Sequence, residues 1–444
     1  HPWPEALTQV LRDSGRLLSV TFPHLLRRGA THFCWINPAE SLGAHAIPGF
    51  KPPAHGGYVY LRKGVKEPLC FELLAQQLNV AYVTDVEGNL DYFRRYVRAS
   101  GVLRFDDDAE TVLRFADDGC RFVFGGDAVD KGDGDVRLCR MLADLSDRYG
   151  RDRVALLVGN RDLNKLRFTA ELSPEALAMP PEAVPGPHWD DAAPRLADYL
   201  KSKSLDDSRA NRLRWMLEHT LGCPGTFEFR RAELKQLRNE DYVTDDDVVD
   251  SCVGEVLPGG ALRAYLERAS VAARFGSTLF VHGAVDAQTA GFVPDKNTRF
   301  RVGRHGDAGF PPTKSFMGER DVDAWVRDLN ALLAWGLEDH LARPTFAADG
   351  SRGGECLLAL QNRCAVWGRS VVSNCYADGG NVDSRSAMTR RARIWAAVRE
   401  GASTGAYDAR AFEASTKYTS DARDPAVHAW LRRSGVKRVV VGHR

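Results

Sequence analysis

The sequence predicts an α/β protein with a large helical insertion, and two observations predict it. Three times in succession an apolar run ends in a polar cluster and passes into a helix-patterned stretch: residues 78–84 run into Asp85, 120–125 into Gly126-Asp127, and 153–158 into Gly159-Asn160. Repeated strand, turn and helix is the layout of a sheet with helices on its faces, and ligands gather beyond the carboxyl ends of such strands. After about a hundred residues of helical spacing the strand pattern returns at 277–283, and it closes the chain at 436–443.

Residues 1–77 carry Pro2, Pro4, Pro23, Pro38, Pro48, Pro52 and Pro53, which leave room for one helix near 5–18 and one strand near 58–62. Too little periodicity remains for a core, so this is expected to be an N-terminal extension packed on something larger. After the first core strand, Leu90, Phe93, Tyr96 and Val97 recur at helical spacing. The segments GVLRF and TVLRFADDG then alternate as a hairpin, and residues 135–150 form an amphipathic helix. From 169 to 276 a proline-rich loop (Pro174, Pro180, Pro181, Pro185, Pro187) leads into RLADYLKSK, NRLRWMLEHT, AELKQLR and ALRAYLERASVAARFG, all of helical period. This is the insertion, and a possible cap. Beyond 277–283 a loop-rich stretch over 284–320 precedes a strong helix at 321–342. A Gly-rich region at 345–385 has a strand expected at 364–373, and helices are expected in SAMTRRARIWAAVREGAS and DPAVHAWLRRSG. The core domain is thus expected over 78–168 and 277–444. Trp335, Trp367, Trp395 and Trp430 read as core residues.

Composition excludes several classes. Sixty basic residues face fifty-nine acidic ones, so net charge gives no argument for nucleic acid or an anionic membrane. The basic stretches at 228–238 and 389–395 read as solvated helix faces. No run approaches eighteen consecutive apolar residues, which argues against a membrane span. Nine cysteines, an odd number with no CxxC pair, and no Asn-x-Ser/Thr sequon point to a reducing, cytoplasmic setting with small buried thiols. GxxxxGK[ST], a strand-to-helix GxGxxG and HExxH are missing. DKGDGD lacks the register of a calcium loop. The cluster Arg369, Ser373, Asn374, Tyr376 and Asp378 reads as a strand with its turn, or as a substrate-side loop.

Five polar clusters stand where strands end: Asp85-Val86-Glu87-Gly88-Asn89, Gly126-Asp127-Ala128-Val129-Asp130-Lys131-Gly132, Gly159-Asn160-Arg161-Asp162, His282-Gly283 and Gly442-His443. One alone means little, because Asp before Gly usually forms a turn. Together they supply carboxylates, an amide oxygen and two imidazoles at one sheet edge. That mixed O/N set is large enough for two divalent ions clamping a phosphoryl oxygen. The order D-x-x-G-N, GGDxxDKG, GNxD, HG and GH resembles the calcineurin-like metallophosphoesterase superfamily.

The resemblance implies an αββα sandwich of two mixed sheets flanked by helices. It implies metal ligation by Asp85, Glu87, Asp127, Asn160, His282 and His443, with Asp127 bridging two ions. Asp130, Lys131, Arg161 and Asp162 fill the polar positions around them. The implied activity is phosphomonoester hydrolysis by in-line attack of a metal-bridging hydroxide. Phosphodiester or nucleotide diphosphate cleavage and a non-catalytic metal-binding scaffold are the alternatives. A phosphorylated small molecule is the favoured substrate, with a phosphoprotein possible. Two residues depart from the pattern, each at a position that is usually His. Glu87 gives the first metal position an oxygen shell, which favours Mn²⁺ or Mg²⁺. Arg161 stays protonated, so it cannot serve as general acid and is left to clamp phosphoryl oxygens.

Overall fold

The computed structural model describes residues 79–186, 193–285, 290–300, 316–360, 366 and 425–443, together with the backbone of 30–36 and 57–62. The chain divides into two compact units, His1–Asn79 and Val80–Arg444. In the first, β1 (Ala30–Ile36) pairs antiparallel with β2 (Gly57–Arg62), placing Phe33 opposite Tyr60 and Trp35 opposite Tyr58. The helix expected at 5–18 lies outside the described residues.

The second unit is a mixed α/β structure, its sheets flanked by helices. β3 (Asn79–Val83), β6 (Cys120–Phe124) and β7 (Val154–Leu156) form a sheet in the order β3-β6-β7, with β6 and β7 parallel. A second sheet has β9 (Thr278–Val281) at its centre, parallel to β10 (Arg438–Val441) and antiparallel to β8 (Ala272–Phe275). β4 (Leu103–Phe105) and β5 (Leu113–Phe115) make a separate hairpin. The strands therefore do not resolve into one clean pair of sheets. Strand residues alternate between two apolar environments. Phe122, Phe124, Leu279 and Val281 enter the main core, whereas Val123 and Phe280 join Ala155 and Leu157 in a smaller cluster. Near-continuous apolar runs such as FVF and LFV are what strands covered on both faces require.

Helix α1 (Leu90–Ser100) buries Leu90, Phe93 and Val97, and the side chain of Asn89 caps it by accepting the Tyr92 N–H at 3.0 Å. α2 (Asp135–Tyr149) lies along the main core, and α3 (Asn160–Asn164) starts directly beyond β7. The insertion contributes α4 (Leu196–Lys203), α5 (Arg209–Trp215), α6 (Thr226–Arg238) and α7 (Asp245–Gly254). These helices have a core of their own, including Leu196, Leu213, Phe227, Leu234 and Val248. α8 (Ala261–Arg268) belongs elsewhere, since it packs on α2 and puts Leu262, Tyr265 and Leu266 into the main core.

One stretch differs from its expected conformation. The helical reading of 261–276 stops at Arg268, and Ala272–Phe275 is β8, folded onto β9 through a turn at Gly276, whose φ is 58°. The Ala-rich segment favours helix intrinsically, but pairing with β9 satisfies its backbone and overrides that weak preference. Helix α9 (Val322–Ala342) buries Trp325, whose indole meets Trp430 of α11 (Pro425–Arg433) edge-on at 5.5 Å. α10 (Glu355–Leu360) lies between them in sequence. Outside the described residues fall the cluster at 368–385, the helix expected in SAMTRRARIWAAVREGAS, Trp367, Trp395, Cys70, Cys364 and Cys375. So does the strand expected at 364–373, apart from Val366. Cys120, Cys139, Cys223, Cys252 and Cys356 are buried free thiols. Among the described residues no helix is long and apolar enough to cross a membrane.

Candidate metal centre

The loops after β3 and β6 are stitched together by backbone. Asp85 N–H donates to the Gly126 carbonyl at 3.0 Å, Glu87 N–H to Asp127 at 3.0 Å, and Lys131 N–H to Glu87 at 2.7 Å. Glycine is required where these loops meet their neighbours. A Cβ at Gly126, which has φ of 94°, would stand 2.7 Å from Gly159 N, and a Cβ at Gly159 would stand 2.1 Å from Asp127 Oδ1. Tight apposition also puts side-chain-bearing residues into the left-handed region. Among the described residues eight non-glycines have positive φ, and five of them are Asp85, Glu87, Asp127, Asp130 and His443. Such conformations are costly and cluster at functional sites.

Asp127, His282 and His443 form a buried cluster able to ligate a metal ion, with ligand atoms within 4.8 Å of one another. They come from three strand ends, after β6, β9 and β10. His282 Nδ1 lies 2.7 Å from the Gly125 carbonyl. That contact places a proton on Nδ1 and makes Nε2 the nitrogen that faces Asp127 Oδ1, 3.3 Å away, the one that could release its proton to a metal. The His443 ring lies 5.3 Å from that of His282. Asn160, at the start of α3, has a buried Oδ1 with no hydrogen-bond partner. An unpartnered buried acceptor is costly, and here it is a ligand type that a divalent ion accepts. The residues present therefore fit a metal. Burial works against the Asp127 charge, but His282 and then Arg161 and His443 hold its carboxyl well below the ordinary range. Burial likewise opposes the His282 cation, and Asp127 more than offsets this, raising the imidazole to about 9.

The other expected site residues are placed as follows. Asp85 Oδ2 accepts from Thr84 Oγ1 at 2.6 Å and from the His443 N–H at 3.2 Å. Glu87 Oε1 receives Arg161 Nε at 2.7 Å and Lys131 Nζ at 2.8 Å. Burial nonetheless pushes the Glu87 carboxyl up against the pull of those two cations. Asp130 is fully buried, and its Oδ2 accepts from Lys165 Nζ at 2.7 Å and from Arg161 Nη1 at 3.2 Å. Asp162 turns into the backbone and takes the N–H groups of Asp127, Ala128 and Gly159 at 3.0, 2.8 and 2.8 Å. Burial first, then the charge of Asp127, raises its carboxyl to about 7. Arg161 does not pair with Asp162; besides Glu87 and Asp130, its Nε lies 3.6 Å from Asp127 Oδ2.

Sequence reasoning missed Lys165, which is buried against Asp130. Its signal was a second cation four residues after Arg161, one turn along the same helical stretch. It also missed the contacts from the insertion, where Thr226 Oγ1 donates to the Asp130 carbonyl and the Gly222 carbonyl lies 3.4 Å from Arg161 Nη1. Among the described residues Asp127, His282 and His443 are the one group of three or more His, Cys, Asp or Glu side chains gathered closely enough to hold an ion.

No protein-family model matches this chain, and no curated protein matches it. Among solved structures, a cold-active protein tyrosine phosphatase of a psychrophilic Shewanella species is 14% identical, covering 47% of this chain and 43% of its own, with a TM-score of 0.23. A second structure, also of a cold-active protein tyrosine phosphatase, is 14% identical over 53% of this chain and 54% of its own, with a TM-score of 0.24. The chain thus spans about half the length of these proteins, and overlays at such scores define neither its fold nor its site.

Proposed function

We propose that this protein is a divalent-metal-dependent phosphoesterase of the calcineurin-like type that hydrolyses a phosphomonoester. The observation that carries the reading is the meeting of Asp127, His282 and His443 from three strand ends; the unpartnered buried amide oxygen of Asn160 supports it. The alternation of strand residues between two apolar environments supports the αββα layering that the sequence motifs imply.

Asp127, His282, His443 and Asn160 would hold the ion, with Asp85 beside them. When bound, a divalent ion would supply Lewis acidity and an acidified water. The chain's own groups do the rest. The Gly125 carbonyl keeps the His282 proton on Nδ1, and Asp162 positions Asp127 by holding the N–H groups around it. Glu87 and Asp130, the latter held in turn by Lys165, fix the Arg161 guanidinium, which presents charge to phosphoryl oxygens. Arg161 cannot donate a proton, so the leaving oxygen takes one from solvent. The approach of Gly222 and Thr226 to this cluster favours a small phosphorylated substrate bound under the insertion. Two imidazoles with two oxygens suit Mn²⁺ better than Mg²⁺, since Glu87, the ligand that argued for Mg²⁺, is paired with two cations.

The test is to strip the protein with a chelator and assay p-nitrophenyl phosphate and its bis-ester with each metal restored. Hydrolysis of the monoester should return with Mn²⁺, and Asp127→Asn should abolish both hydrolysis and metal retention. Absence of metal-dependent turnover on either ester would refute the proposal.

A further inference from the structure

The motifs imply two ions, yet Glu87, the carboxylate expected at the first metal position, is already committed, which leaves no free carboxylate there for a second ion beside the one held by the histidines. Glu87 Oε1 is held by Arg161 Nε at 2.7 Å and Lys131 Nζ at 2.8 Å. The two oxygens of Asp127 face different partners: Oδ1 lies 3.3 Å from His282 Nε2, and Oδ2 lies 3.6 Å from Arg161 Nε. The guanidinium therefore occupies the space between Glu87 and Asp127 Oδ2 where a second ion would have to sit, with ligand distances of about 2.0–2.2 Å.

It is also anchored there. Arg161 Nη1 bonds to Asp130 Oδ2 at 3.2 Å, its backbone N–H donates to Asp127 Oδ1 at 3.0 Å, and its side chain is 16% exposed. A guanidinium does not lose its proton, so this positive charge is permanent. On this side of the centre the carboxylates already carry their own cations, Glu87 from Arg161 and Lys131, and Asp130 from Arg161 and Lys165.

We propose that the centre binds one divalent ion per chain, and that Arg161 permanently takes the place of a second, supplying the positive charge that the second ion would bring to a phosphoryl group. This rests on the reading of Asp127, His282 and His443 as metal ligands, and metal counting separates the two. Protein saturated with Mn²⁺ and passed through a desalting column should retain one equivalent by elemental mass spectrometry and give the EPR signal of an isolated Mn²⁺. Arg161→Ala should retain a second equivalent and show exchange-coupled Mn²⁺, and Arg161→His, which replaces the fixed charge by an imidazole that can be neutral, should do so as well.

Two equivalents and a coupled signal in the unaltered protein would overturn the inference, as would Arg161→Ala and Arg161→His both folding and staying at one. Retention of one equivalent after His282→Ala would instead overturn the ligand assignment on which the proposal rests.

Discussion

Glu233 offers a test of how the insertion holds the centre in place. It lies on α6, is fully buried, and reaches the first turn of α2, where Oε2 accepts the Val136 N–H and Oε1 the Arg137 N–H, both at 3.1 Å. A helix N-terminus has unpaired donors and favours negative charge, so one carboxylate satisfies both needs. Arg230 Nη1 is 3.4 Å away, and the same guanidinium reaches Asp135 Oδ2 at 3.3 Å. Glu233→Ala would strand two buried N–H groups, at about 1–2 kcal/mol each, and would leave Arg230 with one partner instead of two. The sum is about 4 kcal/mol, in the range for breaking one side of a buried ion pair. Glu233→Gln keeps one acceptor but turns an NH₂ group toward a donor, so about half that loss is expected. Urea unfolding of the three proteins measures this. Proteolysis within 226–238 gives a local readout, because α6 should be cut sooner once undocked. A loss below about 1 kcal/mol for the alanine variant would refute the reasoning, since it would mean that water already serves these donors.

Gly159→Ala would put its Cβ 2.1 Å from Asp127 Oδ1 and 2.3 Å from Asp127 N, so the carboxylate and its backbone must both move. Metal affinity should fall at least tenfold, measured by calorimetric titration, and urea unfolding should show a loss of stability as well, because backbone is displaced. His340 gives a pH dependence. It is buried, its Nε2 lies 3.0 Å from Thr169 Oγ1, and its Nδ1 has no hydrogen-bond partner. Burial, then Arg263, lowers it from 6.5 to about 4. The unfolded chain takes up the proton first, so the stabilisation is complete above pH 6.5 and is lost as pH falls toward 4. The loss should reach about 2.5 kcal/mol by pH 4.5, and the difference between wild type and His340→Gln in urea midpoints at the two pH values isolates it.

The strand ends were legible in the sequence because each is a local pattern: an apolar run, a glycine that lets the chain turn, and a polar residue. Asp127, His282 and His443 could therefore be named one motif at a time, although they meet only in three dimensions. What could not be read was pairing between distant segments. Glu87 looked like a ligand by its place in D-x-E-G-N, and only the fold reveals that Arg161 and Lys131 converge on it. Lys165 and Glu233 stand in ordinary helical patterns, where a charged residue normally means a solvated face, and their burial depends on what packs above them. β8 was hidden for the same reason, since its alanines carry no strand signal until β9 pairs with them.

The left-handed backbone at Asp85, Glu87, Asp127, Asp130 and His443 has a consequence for how this chain can drift. Each such residue costs about 1 kcal/mol or more relative to glycine, which adopts the conformation freely. At Glu87, Asp127 and Asp130 glycine would relieve that strain and at the same time leave Arg161 and Lys165 without their buried partners, a larger loss of about 3–5 kcal/mol. The strained carboxylates are therefore tied to the cations that face them, and these strand ends can lose the acids without loss of stability only if the cations go with them.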